Sequence, residues 1–515
     1  MSVTRISRRS LLARATGWLA TAMWLGYGGR GSAAGSNPPP ARDADLLNLS
    51  AVDAVQAMRA GDLTAERYAS VLLARCQAGA RLNAFITLQP DRVLEAARDC
   101  DLRRRKGARL GMLHGLPIPI KDSLNTAQYP TTAGTPALRH FQPREDAPIV
   151  HALRSAGAIV LGKTNLHELS YGYTSNNHAY GTIRNPYDPT CIPGGSSGGT
   201  GAAIGYRMAP LGIAEDTEGS IRVPAALCGV AGFRPTTGRY PTVGAVPITP
   251  LFDQAGPHAR TVADLLLFDS AVTGELSPSP PVALQGVRLG VVRRFWYTDL
   301  DPETERITAA ALQRLQRAGV ELIEGDLPEL PHLISLITDP VQNHDVRPSL
   351  TRYLARYRTG VSFAQLLAQA SPDVRVMIEA ALPGGSDFVP EEQYQQAVKV
   401  HLPALHALYR DYFTRTGVQA IVFPTTILPA PKIGEETMEV VVRGRRMPLD
   451  QAMSRNIAPG STAGLPGLVL PAGLSSDGLP IALEFDGPAA SDRALLRLGL
   501  GLEQVLGRLP PPREL

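Results

Sequence analysis

The chain has 515 residues, a length that allows about three domains by size alone, and its formal net charge is +4. With 44% hydrophobic and 19% charged residues, the composition is typical of a globular protein with a large buried core. The basic residues form only short clusters without interleaved aromatic residues, so no nucleic-acid partner is expected.

The N-terminal segment predicts a leader peptide. Arg8 and Arg9 directly precede an apolar stretch, and small residues follow it at 32–34. This order predicts a twin-arginine signal peptide over residues 1–34 and a linker over residues 35–44. We therefore expect a periplasmic or secreted protein without membrane contact once the leader is removed. A membrane anchor stays open as an alternative, although the apolar stretch is shorter than the roughly 20 residues that a span needs.

The rest of the chain alternates helical periodicity with short apolar runs. Gly61 interrupts the first helical segment, and the prolines of GLPIPIKDS favour an extended segment that ends near Lys121. Helices are predicted over 51–80, 91–106, 147–156, 303–318, 363–370 and 392–414, and strands over 158–162, 210–216 and 418–425. This alternation predicts an α/β fold.

Lysine is rare in this chain, because arginine supplies 46 of the 51 basic residues. The five lysines are Lys106, Lys121, Lys163, Lys399 and Lys432. Arginine stays charged in proteins whereas a buried lysine can lose its proton, so each lysine is a candidate base. The four cysteines have no CxxC or metal-binding spacing, and we expect buried free thiols, with disulfides as the open alternative.

Residues 193–201 read PGGSSGGTG, and three interpretations compete for this stretch. Residues 157–164, GAIVLGKT, fit the phosphate-loop pattern, but their apolar interior predicts a strand and not an open turn around an anion. Residues 194–198 fit the nucleophile elbow GxSxG, but the prolines upstream exclude the central strand that such an elbow requires. The third interpretation pairs Ser196 with Ser220 in GIAEDTEGSIRVPAALCG.

At these motifs the chain resembles the amidase signature family, and the resemblance covers most of residues 45–505. The similar segments are GLPIPIKDSLNTAQYPTTAGT around Lys121, GKTNLHELSYGYTSNN, the two serine turns, FRPTTGRYP and DQAGPHARTVADL. The resemblance implies one amidase-signature domain over residues 45–510, an α/β fold in which helices cover both faces of a central mixed β-sheet. HExxH is absent and the histidines are scattered, so neither a metal nor a cofactor is expected.

The resemblance implies a catalytic triad with Ser220 as the nucleophile, Ser196 as the bridging serine and Lys121 as the base. A serine hydroxyl is a weak nucleophile that needs a base, and lysine becomes one only where burial favours its neutral form. Lys163 is the alternative base, although the resemblance implies a structural role for it. The resemblance also implies a cis peptide bond between Gly195 and Ser196.

The implied oxyanion hole consists of four consecutive backbone amides, those of Thr217, Glu218, Gly219 and Ser220. Asp216 and Arg222 flank this turn, and we expect them to pair and hold it, with a solvated ion pair as the alternative. Glu218 departs from the common family pattern, which has glycine at this position. Its side chain either lines the substrate pocket or faces a satisfied polar neighbour, and the sequence leaves both open.

Residues 453–487 and FRPTTGRYP resemble the branch of the family that includes mandelamide and indoleacetamide hydrolases. The expected reaction is hydrolysis of a small primary amide, with an aryl or alkyl acyl group, to a carboxylate and ammonia through an acyl-enzyme. An exported peptide amidase acting on C-terminal amides is the alternative, and a non-catalytic binding protein with the same fold is a third. The expected partner is the small-molecule amide, and a homodimer is left open.

Overall fold

Eleven strands form one mixed β-sheet in the computed structural model, which describes residues 42–276, 280–434 and 439–514. In chain order the strands of the described residues are β1 (Phe85–Leu88), β2 (Pro117–Lys121), β3 (Ile159–Thr164), β4 (Asn176–Asn177), β5 (Gly181–Thr182), β6 (Leu211–Asp216), β7 (Ala231–Arg234), β8 (Gln254–Ala259), β9 (Arg288–Val291), β10 (Glu321–Glu324), β11 (Ala420–Pro424), β12 (Glu439–Val442), β13 (Arg445–Pro448), β14 (Gly467–Leu474) and β15 (Pro480–Asp486). The order in the large sheet is β1-β3-β2-β6-β8-β7-β14-β15-β11-β9-β10, and β4 with β5 and β12 with β13 form two separate two-stranded sheets.

Helices flank this sheet, so the α/β fold class expected from the sequence is confirmed. They are α1 (Asp43–Asn48), α2 (Ala51–Ala60), α3 (Ala65–Ala78), α4 (Pro90–Arg105), α5 (Pro148–Ser155), α6 (Gly198–Gly205), α7 (Arg222–Leu227), α8 (Val262–Thr273), α9 (Arg293–Trp296), α10 (Pro302–Arg317), α11 (Leu330–Arg356), α12 (Phe363–Gln369), α13 (Pro372–Ala380), α14 (Glu391–Gln396), α15 (Leu402–Thr416), α16 (Leu449–Ser454), α17 (Ala458–Thr462) and α18 (Asp492–Leu506).

The predicted signal peptide over residues 1–34 lies outside the described residues, as does most of the predicted linker. From Arg42 onward the chain forms one compact unit, and α1 begins at Asp43, inside the expected linker. No helix in the described ranges is both long and apolar enough to cross a bilayer. All four cysteines are free thiols, three of them buried.

Local sequence signals explain the first helices. The Ser50 side chain accepts the backbone N–H of Asp53 at the start of α2, and Gly61, with φ +89°, ends that helix in the left-handed conformation. The Thr64 side chain caps α3 in the same way. Because these caps satisfy amides that a helix end leaves free, the predicted break at Gly61 is confirmed as a helix terminus.

The register of the sheet brings three strand ends together at one edge. Strands β2 and β6 run parallel, with Ile120 opposite Ile213, so their carboxyl ends lie side by side. Strand β8 runs antiparallel to β6, with Asp216 opposite Gln254, so its amino end lies at the same edge. Helix α6, built from small residues, packs against β2 and β6 just after the glycine-rich turn. Each segment that carries a predicted catalytic residue therefore reaches this edge.

The sequence patterns do not predict helix α11, the 27-residue segment Leu330–Arg356. Pro340 and Pro348 lie inside it, and proline normally ends a helix because it lacks an N–H donor. Packing against α15 and α17 compensates for the missing backbone hydrogen bonds. Side chains also anchor the helix, because Asp345 accepts the Thr249 hydroxyl at 2.6 Å.

Candidate active site

The glycine-rich turn places Ser196 at the centre of the site. The peptide bond between Gly195 and Ser196 is cis, as the resemblance implies. A Cβ atom on Gly195 would lie 2.6 Å from the Gly172 carbonyl oxygen and 2.8 Å from Tyr173 Cα, so only glycine fits against this backbone. The glycines therefore allow a close backbone approach that fixes the direction of the Ser196 hydroxyl.

Lys121 ends strand β2 and lies completely buried, with its Nζ 2.6 Å from Ser196 Oγ. The expected burial and contact are both confirmed. Burial lowers the pKa of Lys121, and the carboxylate of Glu215 partly opposes this effect. Prolines at 117 and 119 stiffen a strand that is buried along its whole length, which keeps water from the amine.

Ser220 follows the turn that begins where β6 ends, and it is 6% exposed. Among the described residues its Oγ has no hydrogen-bond partner, and the Ser196 hydroxyl bonds to Lys121 and not to Ser220. The structure thus brings Lys121 and Ser196 into contact and leaves the Ser220 hydroxyl free. Catalytic hydrogen bonds commonly tighten only when the substrate binds.

The turn over residues 217–220 is held by the carboxylate of Asp216. Its Oδ1 accepts the Gly219 N–H at 2.7 Å, and its Oδ2 accepts the Ile221 N–H at 3.0 Å. Of the four amides expected to form the oxyanion hole, that of Gly219 is therefore engaged within the turn. The three others, those of Thr217, Glu218 and Ser220, have no acceptor in the described part of the chain.

Gly219 is required at its position for two reasons. Its φ is +125°, a conformation that side chains rarely adopt. A Cβ atom there would also lie 1.9 Å from the Ile457 side chain on the loop before α17. The turn can therefore tolerate the family departure at Glu218 but not a side chain at the next residue.

The expected pair of Asp216 and Arg222 is confirmed as a fully buried contact of 3.1 Å. Although burial opposes ionisation of Asp216, Arg222 and Arg234 hold its pKa well below the usual range. Arg222 also donates to Glu484 at 2.7 Å. Sequence reasoning assigned no role to Arg234, which lies on β7 within the FRPTTGRYP segment, or to Glu484, which lies on β15, 262 positions from Arg222.

Three further residues near Lys121 were also missed. Glu215 contacts Lys121 Nζ through Oε1, and Ser170 donates to the same oxygen at 2.5 Å. Asp253 accepts the Thr217 hydroxyl at 2.6 Å, and burial raises its pKa to about 7. A signal for Glu215 was present, since it is one of two acidic residues that follow the apolar run at the start of β6.

The side chain of Glu218 has a satisfied polar neighbour. Gln342 of α11 donates to its Oε2 at 2.5 Å, and the Tyr173 hydroxyl donates to its backbone carbonyl at 3.2 Å. Burial, together with the nearby Asp339 and Asp450 carboxylates, raises the pKa of Glu218 to about 8. The satisfied-neighbour alternative therefore has an observed partner, while a pocket role stays a prediction.

The alternative base, Lys163, is buried on β3 and contacts the Asp122 carboxylate, away from both serines. For metals, no group of three or more His, Cys, Asp or Glu side chains within 42–276, 280–434 and 439–514 is arranged to hold an ion. The described contacts around the serines thus involve hydroxyl, amine and carboxyl groups.

Comparison with known proteins agrees with this geometry. The Amidase family model matches residues 68–496. The chain is 38% identical to an indoleacetamide hydrolase of Agrobacterium vitis, covering 88% of this chain and 96% of that protein. It is also 38% identical to the mandelamide hydrolase of Pseudomonas putida, covering 91% of this chain and 93% of that protein.

Two solved structures extend the likeness to the fold. A crystal structure of an amidase is 31% identical, with a TM-score of 0.80, and the match covers 89% of this chain and all of the other. The peptide amidase of Stenotrophomonas maltophilia is 28% identical, with a TM-score of 0.74, and the match covers 91% and 99% of the two chains. The chain therefore belongs to the amidase family, and it is a hydrolase that acts on the carbon–nitrogen bond of linear amides.

Proposed function

We propose that this protein hydrolyses a small primary amide, with an aryl or alkyl acyl group, to a carboxylate and ammonia. Its similarity to indoleacetamide and mandelamide hydrolases supports an aromatic acyl group. The observation that carries the mechanism is the 2.6 Å contact between Lys121 Nζ and Ser196 Oγ, in a position closed to water. A neutral amine there can accept a proton from a hydroxyl.

Acylation then follows from the order of the three side chains. Ser220 Oγ attacks the amide carbonyl carbon, its proton passes to Ser196 Oγ, and the Ser196 proton passes to the amine of Lys121. The resulting ammonium returns a proton through Ser196 to the amide nitrogen. Ammonia leaves, and the acyl group remains on Ser220. A water molecule repeats the relay and releases the carboxylate.

The tetrahedral intermediate carries a negative oxygen that needs hydrogen-bond donors. The free backbone amides of Thr217, Glu218 and Ser220 are the proposed donors, while the bond from Gly219 to Asp216 holds the turn in shape. Losing one donor of this kind typically costs about 3–4 kcal/mol of transition-state stabilisation. The glutamate side chain at 218 does not remove its own backbone donor.

Labelling and turnover together test the proposal. A fluorophosphonate probe should label the wild-type protein and Ser197→Ala, but not Ser220→Ala, because Ser197 only bonds the Glu215 carbonyl oxygen at 3.1 Å. Indoleacetamide and mandelamide should release ammonia with the wild-type protein. A folded wild-type protein that is neither labelled nor active on any amide would instead support the non-catalytic binding protein.

The similarity to a peptide amidase makes release of ammonia from C-terminally amidated peptides the second candidate function. A dipeptide amide with an apolar C-terminal residue separates the two candidates. If its kcat/KM exceeds that of the two aryl amides by tenfold or more, the peptide amidase is the better description. The triad chemistry is the same in both cases.

Export of the protein is also a proposal, since the leader lies outside the described residues. Twin arginines followed by an apolar stretch and small residues motivate it. Residues 1–41 fused to a reporter should send the folded reporter out of the cytoplasm. Replacement of Arg8 and Arg9 by lysine should abolish this export, and unchanged export would contradict the twin-arginine assignment.

A further inference from the structure

We propose that Glu215 is a positioning residue for Lys121: its carboxylate holds the amine against Ser196 and supplies the counter-charge for the ammonium that forms there. This inference rests on the proposed role of Lys121 as the base. It adds a fourth side chain to the three that transfer protons. Glu215 acts through Lys121 and does not itself contact the substrate. Glu215 is 4% exposed and Lys121 is completely buried.

Strand geometry explains why Glu215 reaches Lys121. Successive side chains on a strand point to opposite faces, so Glu215 and Asp216 face different partners. Asp216 bonds to the guanidinium of Arg222, whereas Glu215 bonds to Lys121 on the neighbouring parallel strand. Strand β6 therefore carries two adjacent carboxylates that bond to different partners.

The local backbone also orients Glu215. The Ser197 hydroxyl donates to the Glu215 carbonyl oxygen at 3.1 Å, which ties β6 to the glycine-rich turn. The Ser170 hydroxyl donates to Glu215 Oε1 at 2.5 Å. Leu169 and Ser170 both have left-handed φ angles, +52° and +67°, which non-glycine residues adopt only where the surrounding structure imposes them. These bonds leave the carboxylate oxygen directed at the amine.

Lys121 Nζ therefore contacts two groups with different roles. Ser196 Oγ, at 2.6 Å, is the group from which the neutral amine would take a proton. The ammonium produced by that step is a charge in a dry site, and an unpaired charge there is strongly disfavoured. Glu215 lies where a negative charge stabilises this ammonium without competing for the serine proton.

Burial and the Glu215 carboxylate change the pKa of Lys121 in opposite directions. Burial lowers the pKa of Lys121 and Glu215 raises it again, so removal of the carboxylate leaves burial unopposed. A base with too low a pKa takes the serine proton poorly. The other titratable groups around the pair are Asp216 on β6, Asp253 before β8, His258 on β8, and the paired Asp122 and Lys163 on β2 and β3.

Lysine-selective ¹³Cε labelling provides a direct test, because the chain has only five lysines. The Lys121 signal is assigned from its loss in Lys121→Met. In Glu215→Gln, which keeps the size of the side chain, we expect Lys121 to titrate roughly 1–3 pH units lower than in the wild type. The Lys163 signal serves as the internal control and should not move, since its partner is Asp122.

Kinetics supply the second readout. The acid limb of kcat/KM should shift to lower pH in Glu215→Gln, with kcat reduced at least tenfold at pH 7 and KM little changed. Glu215→Asp should restore part of kcat, and Ser170→Ala should shift the limb less than Glu215→Gln does. Each variant is first shown to keep the wild-type circular dichroism spectrum.

Each outcome decides one question. An unchanged Lys121 titration in folded Glu215→Gln overturns the inference, and so does an unchanged acid limb in an active enzyme. A shifted titration in a protein whose wild type hydrolyses no amide supports the contact but removes the proposed function. If Glu215→Gln does not fold, the titration of Lys121 in Glu215→Asp decides. The shorter aspartate lies farther from the amine, so the pKa of Lys121 should be lower than in the wild type, by less than is expected for Glu215→Gln.

Discussion

Lys163 Nζ lies 2.9 Å from Asp122 Oδ1, so a second buried lysine occupies the strand next to Lys121 with every donor engaged. It also donates to the carbonyl oxygens of Leu124 and Pro130 and to the Thr131 hydroxyl, at 2.9, 3.1 and 3.0 Å. These bonds tie the loop after β2 to β3. The two lysines therefore have the same burial but different expected roles.

Methionine at each lysine should separate these roles. Lys163→Met leaves the Asp122 carboxylate buried without its partner, which should destabilise the fold by about 3–5 kcal/mol. Lys121→Met also removes a partner of a buried carboxylate, that of Glu215, but in addition it should lower kcat/KM of the folded protein by several orders of magnitude, because it removes the proposed base. Thermal unfolding and amide turnover measure both effects. A stable Lys163→Met protein without activity would reverse the assignment of the base.

Asp216→Asn should destabilise the protein in a pH-dependent way. The variant loses the buried pairing with Arg222 and Arg234, at an expected cost of about 3–5 kcal/mol at pH 7. The two arginines hold the pKa of Asp216 low in the folded protein. The charge of Asp216 therefore stabilises the fold above the unfolded-state pKa of about 3.9, and this stabilisation is lost as the pH falls below that value.

Thermal unfolding of Asp216→Asn and wild type from pH 8 down to pH 3 checks this sign. The gap in Tm should be widest near neutral pH and should narrow in acid. A control is Asp188→Asn, whose partly exposed carboxylate bonds only locally to Thr190 and Cys191, and which should change Tm less than Asp216→Asn does. A gap that stays constant over the whole range would contradict the role of the Asp216 charge.

The sequence indicates the site better than it indicates what surrounds it. Glycines that permit close backbone contact, two serines and one lysine in an apolar setting lie in short contiguous motifs, so Lys121 and Ser196 could be predicted to meet. Glu484 could not, because its contact with Arg222 joins residues 262 positions apart. Such pairings depend on strand order, which local patterns do not encode.

Helix α11 shows a second limit of the sequence. Its prolines predict breaks, yet tertiary packing keeps the segment helical through both of them. As a result the sequence could not show that Gln342 would reach Glu218 from across the site. It did show that Glu218 is unusual, but which side chain it meets depends on the placement of a helix more than 100 residues away.

Glu218→Gly should retain amide hydrolysis and change the substrate preference. The substitution restores the common family residue, keeps the backbone donor and removes a side chain beside the nucleophile turn. We expect the ratio of kcat/KM values for a bulky and a small aryl amide to rise severalfold. Gln342→Ala is the matched control, since it removes the partner of Glu218 but keeps the glutamate. An unchanged ratio in Glu218→Gly would argue against a pocket role.

Glu218→Gln tests the charge separately from the size. The folded pKa of Glu218 is raised to about 8, so the folded protein keeps a proton that the unfolded chain loses above its ordinary value. Wild-type stability should therefore fall as pH rises from about 4.5 to 8, and Glu218→Gln should remove this part of the decline. Tm measured at pH 5 and pH 8 gives the comparison, and equal declines in both proteins would contradict the assigned shift.

Asp486 should behave in the opposite way to Asp216, although both carboxyl groups belong to the same buried cluster. Burial and the neighbouring Glu484 raise the pKa of Asp486 well above its usual value. The cluster contains the guanidinium groups of Arg222 and Arg234 and the carboxyl groups of Asp216, Glu484 and Asp486. A proton retained on Asp486 therefore makes the negative and positive charges equal in number. The folded state thus binds a proton that the unfolded chain loses above about pH 3.9, so this group reduces stability as pH rises.

Asp486→Asn keeps the shape of the side chain and cannot ionise. We expect its Tm to equal or exceed that of the wild type, with an advantage that grows between pH 5 and pH 8. Glu484→Gln is the contrasting variant: it replaces the carboxyl group that accepts from Arg222 at 2.7 Å, and its Tm should fall at both pH values. A loss of stability in Asp486→Asn as large as that in Glu484→Gln would mean that Asp486 is ionised in the folded protein. Asparagine would then remove a negative charge that stabilises the two arginines.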